Sequence, residues 1–201
     1  GQFLVPLRAG EELSISGTLD VRVVRGAAVV WGSTLHPSLE FQRIAVPPWA
    51  PLPRLRAHDS DTDDRTASSE PADVQRFLAN HCSPIVLCFR LAGVPSTTEA
   101  LEAKEKLRAA LLPPPERPRL RPHGAWPSLV ERLAGLHAAA TTGAPPSVVM
   151  VIGPKGVGKS SCCRFFVNAL LNHSREVCFL ETDIGQPELG PPGLVELHRI
   201  R

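Results

Sequence analysis

An α/β chain in two parts, a β-sandwich-like module followed by the start of a parallel-sheet domain, is what three features of the sequence predict. Apolar residues alternate with polar ones at period two through Leu13, Ile15, Leu19, Val21 and Val23 and again through Ile85, Leu87, Phe89 and Leu91, the pattern of half-buried strands. The apolar run Ser147-Val148-Val149-Met150-Val151-Ile152 ends in a glycine-rich turn that opens a helical stretch from Ser161 to His173. A second short apolar run, Val177-Cys178-Phe179-Leu180, follows that helix, as a doubly wound sheet requires.

Element by element, Arg25-Gly26 reads as the turn of a hairpin whose return strand is Ala27 to Trp31. Pro47 to Asp73, with its prolines and the run Asp59-Ser60-Asp61-Thr62-Asp63-Asp64, has little to bury and is expected to be a mobile insertion. Ser96-Thr97-Thr98-Glu99 fits a capping box for a helix whose apolar face is Ala100, Leu101, Leu107, Ala110 and Leu111, ended by Pro113. The arginines of the irregular run Pro113 to Pro122 suit a solvated loop better than a phosphate contact. Pro127 starts another helix, with Leu129, Leu133 and Leu136 on one face and a stop near Gly143; Trp126 at its entry suits packing better than stacking on a base. Leu194 to Leu197 reads as the start of a third strand. The domain organisation is then residues 1–95 as the β-rich module with an insertion at about 47–73, residues 96–146 as a helical and proline-rich connector, and residues 147–201 as the start of a domain whose sheet needs more strands than follow, so the chain is expected to end inside it.

The glycine-rich turn carries the chemistry. Gly153-Pro154-Lys155-Gly156-Val157-Gly158-Lys159-Ser160 satisfies G-x-x-x-x-G-K-[ST], the phosphate loop of nucleoside triphosphatases, and its strand-before, helix-after setting is the one in which that pattern is specific. A triphosphate concentrates negative charge, and the loop answers with inward backbone N–H groups that only small residues leave uncovered. Gly153, Gly156 and Gly158 leave that space, Lys159 reaches the β- and γ-phosphates as a point charge, and Ser160 offers a hydroxyl to Mg²⁺. Ser161 continues the cradle. Lys155 either contacts the transferred phosphoryl group or faces solvent. At the end of the second apolar run stands Glu181-Thr182-Asp183-Ile184-Gly185-Gln186-Pro187. An acid leaving a strand beside a phosphate loop holds Mg²⁺ or takes a proton from an incoming hydroxyl; the alternative is that Asp183 only caps the turn.

Taken together, Gly153 to Ser161 and Glu181-Thr182-Asp183-Ile184-Gly185-Gln186-Pro187-Glu188-Leu189-Gly190-Pro191-Pro192-Gly193 resemble the polynucleotide 5′-hydroxyl kinase family, and Gly10 to Ser38 resembles the N-terminal β-domain of its nucleolar pre-ribosomal-RNA branch. The resemblance implies ATP and Mg²⁺ as cofactors and RNA with a 5′-hydroxyl end, such as pre-rRNA, as substrate. It implies Lys159 and Asp183 as catalytic residues, and Ser160, Asp183 and Gln186 at the metal. It also implies an endonuclease partner in a processing complex and a nuclear, nucleolar location. Glu181 stands where some members carry Asp. A second reading is an ATP-binding scaffold with little turnover; a GTPase or transporter ATPase is a third, for which neither an N-K-x-D nor a Leu-Ser-Gly-Gly-Gln signature is found.

Composition sets the outer bounds. In 201 residues there are 21 Pro and 15 Gly with a net charge of +2, as in a globular chain of one or two domains with no global field for nucleic acid. No apolar run approaches the length of a membrane span, and Gly1 to Gly10 is short for a secretory signal, so neither a span nor secretion is expected. Cys82, Cys88, Cys162, Cys163 and Cys178 lack metal-ligand spacing and suit free thiols in a reducing compartment, cytosol or nucleus.

Overall fold

Strand β8, Ile85–Leu91, points Ile85, Leu87 and Phe89 to one side and Val86 and Cys88 to the other, and all five are buried. A strand apolar on both faces has to lie between two layers. The computed structural model describes residues 2–46, 51–58, 69–91, 100–111, 121–139 and 145–201. They divide into two units, Gly1–Val30 with Thr34–Arg121, and Trp31–Ser33 with Pro122–Arg201.

In the first unit β1 (Gln2–Leu7), β8, β3 (Gly17–Arg25) and β6 (Gln42–Val46) form one sheet in that order. Its ladders are antiparallel, with Leu4 opposite Cys88, Val21 opposite Phe89 and Leu19 opposite Ile44. A second sheet runs β2 (Glu12–Ser14), β7 (Arg54–Ala57), β4 (Ala28–Val30), β5 (Ser33–Leu35). Leu19, Val21, Val23, Leu87 and Phe89 of the first sheet share one core with Ala28, Leu35, Leu55 and Ala57 of the second, which makes the module a β-sandwich. Helix α2 (Ala100–Leu111) adds Leu107 and Leu111 to that core, and its Ala110 carbonyl accepts from the Ser16 N–H at 2.9 Å.

The opposite face of the first sheet is covered by α1 (Ala72–Asn80), whose Val74 and Leu78 pack on Val24, Val86 and Cys88. Arg25 closes the end of this helix, donating from Nη2 to the Leu78 carbonyl at 3.2 Å and from Nη1 to that of His81 at 3.1 Å, the orphan acceptors a helix terminus leaves. On the same face the buried Asp20 receives Arg43 (2.8 Å) and Arg90 (3.0 Å), and Arg22 pairs with Glu70.

Four expectations are corrected here. No hairpin forms across Arg25-Gly26: β3 and β4 lie in different sheets, and Gly26 (φ 76°) is the corner at which the chain changes sheet. A Cβ there would stand 2.6 Å from the Pro84 carbonyl oxygen, so a long-range contact, invisible in the dipeptide, sets the turn. Within 47–73 part of the expected insertion is ordered: Leu52 and Leu55 are fully buried, β7 completes the second sheet, and α1 begins at Ala72. Residues 47–50 and 59–68, the capping box at 96–99 and the run 112–120 lie outside the described residues. On α3 (Ala125–Ala139) the packed face is Trp126, Val130 and Leu133, while Leu129 and Leu136 are exposed.

The fourth correction concerns the second unit, which contains α3, α4 (Lys159–Leu171), β9 (Val177–Glu181) and β10 (Glu196–Ile200). Residues 147–152 form no strand; Val148, Met150 and Ile152 are 87%, 77% and 82% exposed. Strand β9 pairs antiparallel with β10, Phe179 opposite His198 and Glu181 opposite Glu196. A parallel ladder needs a crossover, usually helical, between its strands; β9 and β10 are joined by residues 182–195 with no helix among them, and the chain returns beside itself.

Candidate functional site

The phosphate-loop sequence folds into a turn that only glycine permits at two places. Gly156 (φ 82°) and Gly158 (φ 89°, ψ 23°) take left-handed backbone, which costs an L side chain about 1–2 kcal/mol. At Gly153 a Cβ would meet Val157 Cγ2 at 3.1 Å. Gly158 caps α4, and its carbonyl accepts from the Cys162 N–H at 2.9 Å. No side chain caps the helix and its first turn contains no acid, so the N–H groups and the positive dipole end of α4 keep their full attraction for an anion. Lys159 folds back over the loop, its Nζ donating to the Pro154 carbonyl at 2.8 Å. Pro154, Lys155, Gly156, Val157 and Ser160 are exposed and Ser161 is half-buried.

A packed base holds α4. Cys162, Phe165, Phe166 and Ala169 are buried with Val130 of α3, and Trp31, Trp126 and Leu133 pack against them. Trp126 meets Trp31 edge-on at 6.2 Å and Phe165 at 5.6 Å; it is a packing residue. Trp31, a non-glycine residue at φ 45°, is held by Asn168, whose Nδ2 donates to its carbonyl at 3.1 Å.

The acidic turn leaves β9. Its last residue, Glu181, is buried, and Oε2 accepts from the Glu188 N–H at 2.6 Å. The Glu188 carboxylate in turn pairs with Arg164 of α4, Nε to Oε2 at 2.6 Å. Asp183 is exposed; its Oδ1 accepts from the N–H groups of Gly185 (3.1 Å) and Gln186 (3.0 Å), while Oδ2 stands outside the described hydrogen bonds. Asp183 therefore does cap its turn, through one oxygen. The Gly193 N–H (φ 95°) donates to the Ile184 carbonyl at 2.8 Å and closes the loop. Gln186 is exposed. Burial raises the Cys163 thiol above its ordinary value, and the carboxylates of Glu188 and then Glu181 push it the same way. Arg164 and Glu188 were not singled out in the sequence; they are 24 residues apart and no spacing rule joins them.

Among the described residues no group of three His, Cys, Asp or Glu side chains is placed to hold a metal ion, and no helix is long and apolar enough to cross a membrane. The side chains that the resemblance assigns to the metal, the Ser160 hydroxyl, the Asp183 carboxylate and the Gln186 amide, offer hard oxygens, the kind that suits Mg²⁺, an ion that keeps several waters and takes few protein ligands.

A glycine loop of this form, opening a helix with an unshielded positive end, defines a phosphate-loop nucleotide-binding protein, and residues 153–201 match the family described as the P-loop of mRNA cleavage and polyadenylation factor CLP1. Similar curated proteins include a polynucleotide 5′-hydroxyl-kinase GRC3 of Gibberella zeae, 27% identical over 95% of this chain and 27% of its own length. Another is the polynucleotide 5′-hydroxyl-kinase NOL9 of Homo sapiens, 40% identical over 36% of this chain and 10% of its own. A solved Clp1p–Pcf11p complex aligns with 98% of this chain and 36% of that one at TM-score 0.46 and 13% identity. The curated relatives that the chain is similar to carry the name polynucleotide 5′-hydroxyl-kinase, as GRC3 or NOL9. The chain spans about a quarter of the length of the relatives that match most of it.

Proposed function

We propose that the chain is the part of an ATP-dependent RNA 5′-hydroxyl kinase that cradles the triphosphate and supplies the base. The observation that carries this reading is the loop at 153–160 running into the uncapped, acid-free end of α4. The RNA 5′-oxygen attacks the γ-phosphorus, a new O–P bond forms as the bond to the β-phosphate oxygen breaks, ADP leaves, and the hydroxyl proton passes to Asp183. Lys159 leaves the Pro154 carbonyl to meet the β- and γ-phosphates, and the N–H groups of Gly153 and of Lys155 to Ser161 donate to the phosphate oxygens. Ser160, Asp183 and Gln186 are the residues proposed to hold Mg²⁺, which when bound neutralises charge on the phosphates. Residues 1–95 are proposed as the β-module, 96–146 as connector and 147–201 as the start of the kinase domain. The substrate is proposed to be pre-rRNA, met in the nucleolus beside an endonuclease partner; what supports a polynucleotide substrate is the name shared by the similar curated proteins.

Transfer of labelled γ-phosphate to a 5′-hydroxyl oligoribonucleotide by the full-length protein tests the reading. Lys159→Ala should abolish ATP binding and transfer, and Asp183→Asn should slow transfer about 100-fold or more, the usual worth of a general base, with ATP still bound. Transfer by Asp183→Asn within threefold of wild type would remove the base from the mechanism. ATP bound by a wild-type protein that transfers nothing would leave the scaffold reading.

A further inference from the structure

Arg164, Glu188 and Glu181 link the acidic turn to the helix that carries the phosphate-loop lysine, and we infer that this three-residue brace is a positioning device for Asp183. The inference rests on the proposed kinase reading for its function but on the structure alone for its geometry. Glu181 ends β9 with its carboxylate buried, and a buried carboxylate requires a donor. The donor is the backbone N–H of Glu188 at 2.6 Å, so residues 181–188 are pulled into a closed loop with Asp183 inside it. The side chain of the same Glu188 reaches Arg164, whose Nε and Nη2 both point at Oε2. Arg164 lies on α4, one helical turn and a residue beyond Lys159, and the base of α4 is locked by Phe165 and Phe166 in the aromatic cluster. The far half of the loop is closed separately by the Gly193 N–H on the Ile184 carbonyl, 2.8 Å. One rigid helix therefore carries the lysine on its first turn and, on the next, the arginine that fixes the loop bearing the acid.

Exposed ion pairs contribute little to stability, and Arg164 is more than half exposed, so stability alone gives this pair small worth. Its effect is expected in placement, where a shift of about 1 Å costs on the order of 100-fold in rate. None of the three residues touches the reacting atoms in this account; each acts through Asp183.

Two measurements separate the brace from the chemistry. The first needs no turnover: in the full-length protein, Glu188→Ala and Arg164→Ala should speed amide hydrogen exchange at Gly185 and Gln186, the donors to Asp183, by about tenfold or more. The second uses the full-length kinase, in which Arg164→Ala should lower kcat about 10- to 100-fold, the range for residues that orient a functional group, with the KM for ATP within threefold. The exchanged pair Arg164→Glu with Glu188→Arg should restore most of the loss. Unchanged exchange at Gly185 and Gln186 overturns the brace whatever the enzyme does. Normal kcat in Arg164→Ala beside a dead Asp183→Asn overturns the positioning role and spares the kinase reading; normal turnover in Asp183→Asn overturns that reading and the positioning role with it, and leaves the exchange result to judge the brace itself.

Discussion

Replacing Glu70 with leucine strands the Arg22 guanidinium. In the structure Nη1 and Nη2 of Arg22 donate to Oε1 and Oε2 of Glu70 at 2.6 and 2.8 Å, and the two side chains are 3% and 0% exposed. The other acceptor described for Nη1 is the Ser38 carbonyl at 3.2 Å, and the Phe41 ring centre is 5.6 Å from the guanidinium carbon. The fork-to-fork geometry holds Arg22 even more firmly in its charged form, chiefly through the Glu70 hydrogen bonds. Removing one member of a buried pair leaves an uncompensated charge and costs about 3–5 kcal/mol. For a unit of this size that is roughly 12–20 °C in melting temperature. Arg22→Met should cost a similar amount. The double variant Arg22→Met with Glu70→Leu buries no charge and should fall within about 1 kcal/mol of wild type, because well-packed apolar replacements of buried pairs are often neutral. Thermal and urea unfolding followed by circular dichroism give the three differences. Single variants that each cost less than about 1 kcal/mol, or a double variant that costs their sum, would refute the claim that the two charges depend on one another.

Acid should weaken the β-module through Asp20, whose carboxyl the Arg43 hydrogen bond, and then Arg90, hold below its ordinary 3.8 against the opposing effect of burial. With the folded value below the unfolded one, this contribution is fully present above about pH 4 and is lost as pH falls through the depressed folded value; stability measured from pH 6 down to 2 should drop less steeply in Asp20→Asn, and an unchanged slope would exclude the residue. Thiol labelling should be ordered by burial: Cys82 and Cys178 are exposed, whereas burial raises the thiols of Cys88, Cys162 and Cys163. With iodoacetamide near pH 8 the last three should react about tenfold more slowly, since the thiolate is the nucleophile; Cys163 labelling at the rate of Cys178 would contradict the structure.

What the sequence disclosed was local. The phosphate loop is legible because its demands, left-handed glycines and a helix start, fall within eight consecutive residues. Strand β8 was legible on its inner face through Ile85, Leu87 and Phe89; that Val86 and Cys88 are buried as well depends on α1, which gives no signal until its partner sheet is known. The Gly26 corner was misread because a turn dipeptide says that the chain bends and not which sheet it joins. On α3 both Leu129-Leu133-Leu136 and Trp126-Val130-Leu133 have helical spacing, and the choice between them is made by Phe165 and Phe166, far along the chain. Short apolar runs such as 147–152 and 194–197 reveal neither partner nor direction. The Glu181–Glu188–Arg164 linkage lies beyond any spacing rule, being a contact between a loop and the side of a helix.

The hydrogen bond from Lys159 to the Pro154 carbonyl has one more consequence. A lysine on the surface samples many rotamers, and immobilising it costs up to about 2 kcal/mol of entropy. Here the ammonium is already parked across the mouth of the turn that houses it. An arriving anion trades one acceptor for another over a short swing, and the charge is delivered from within the ring and not recruited from bulk water.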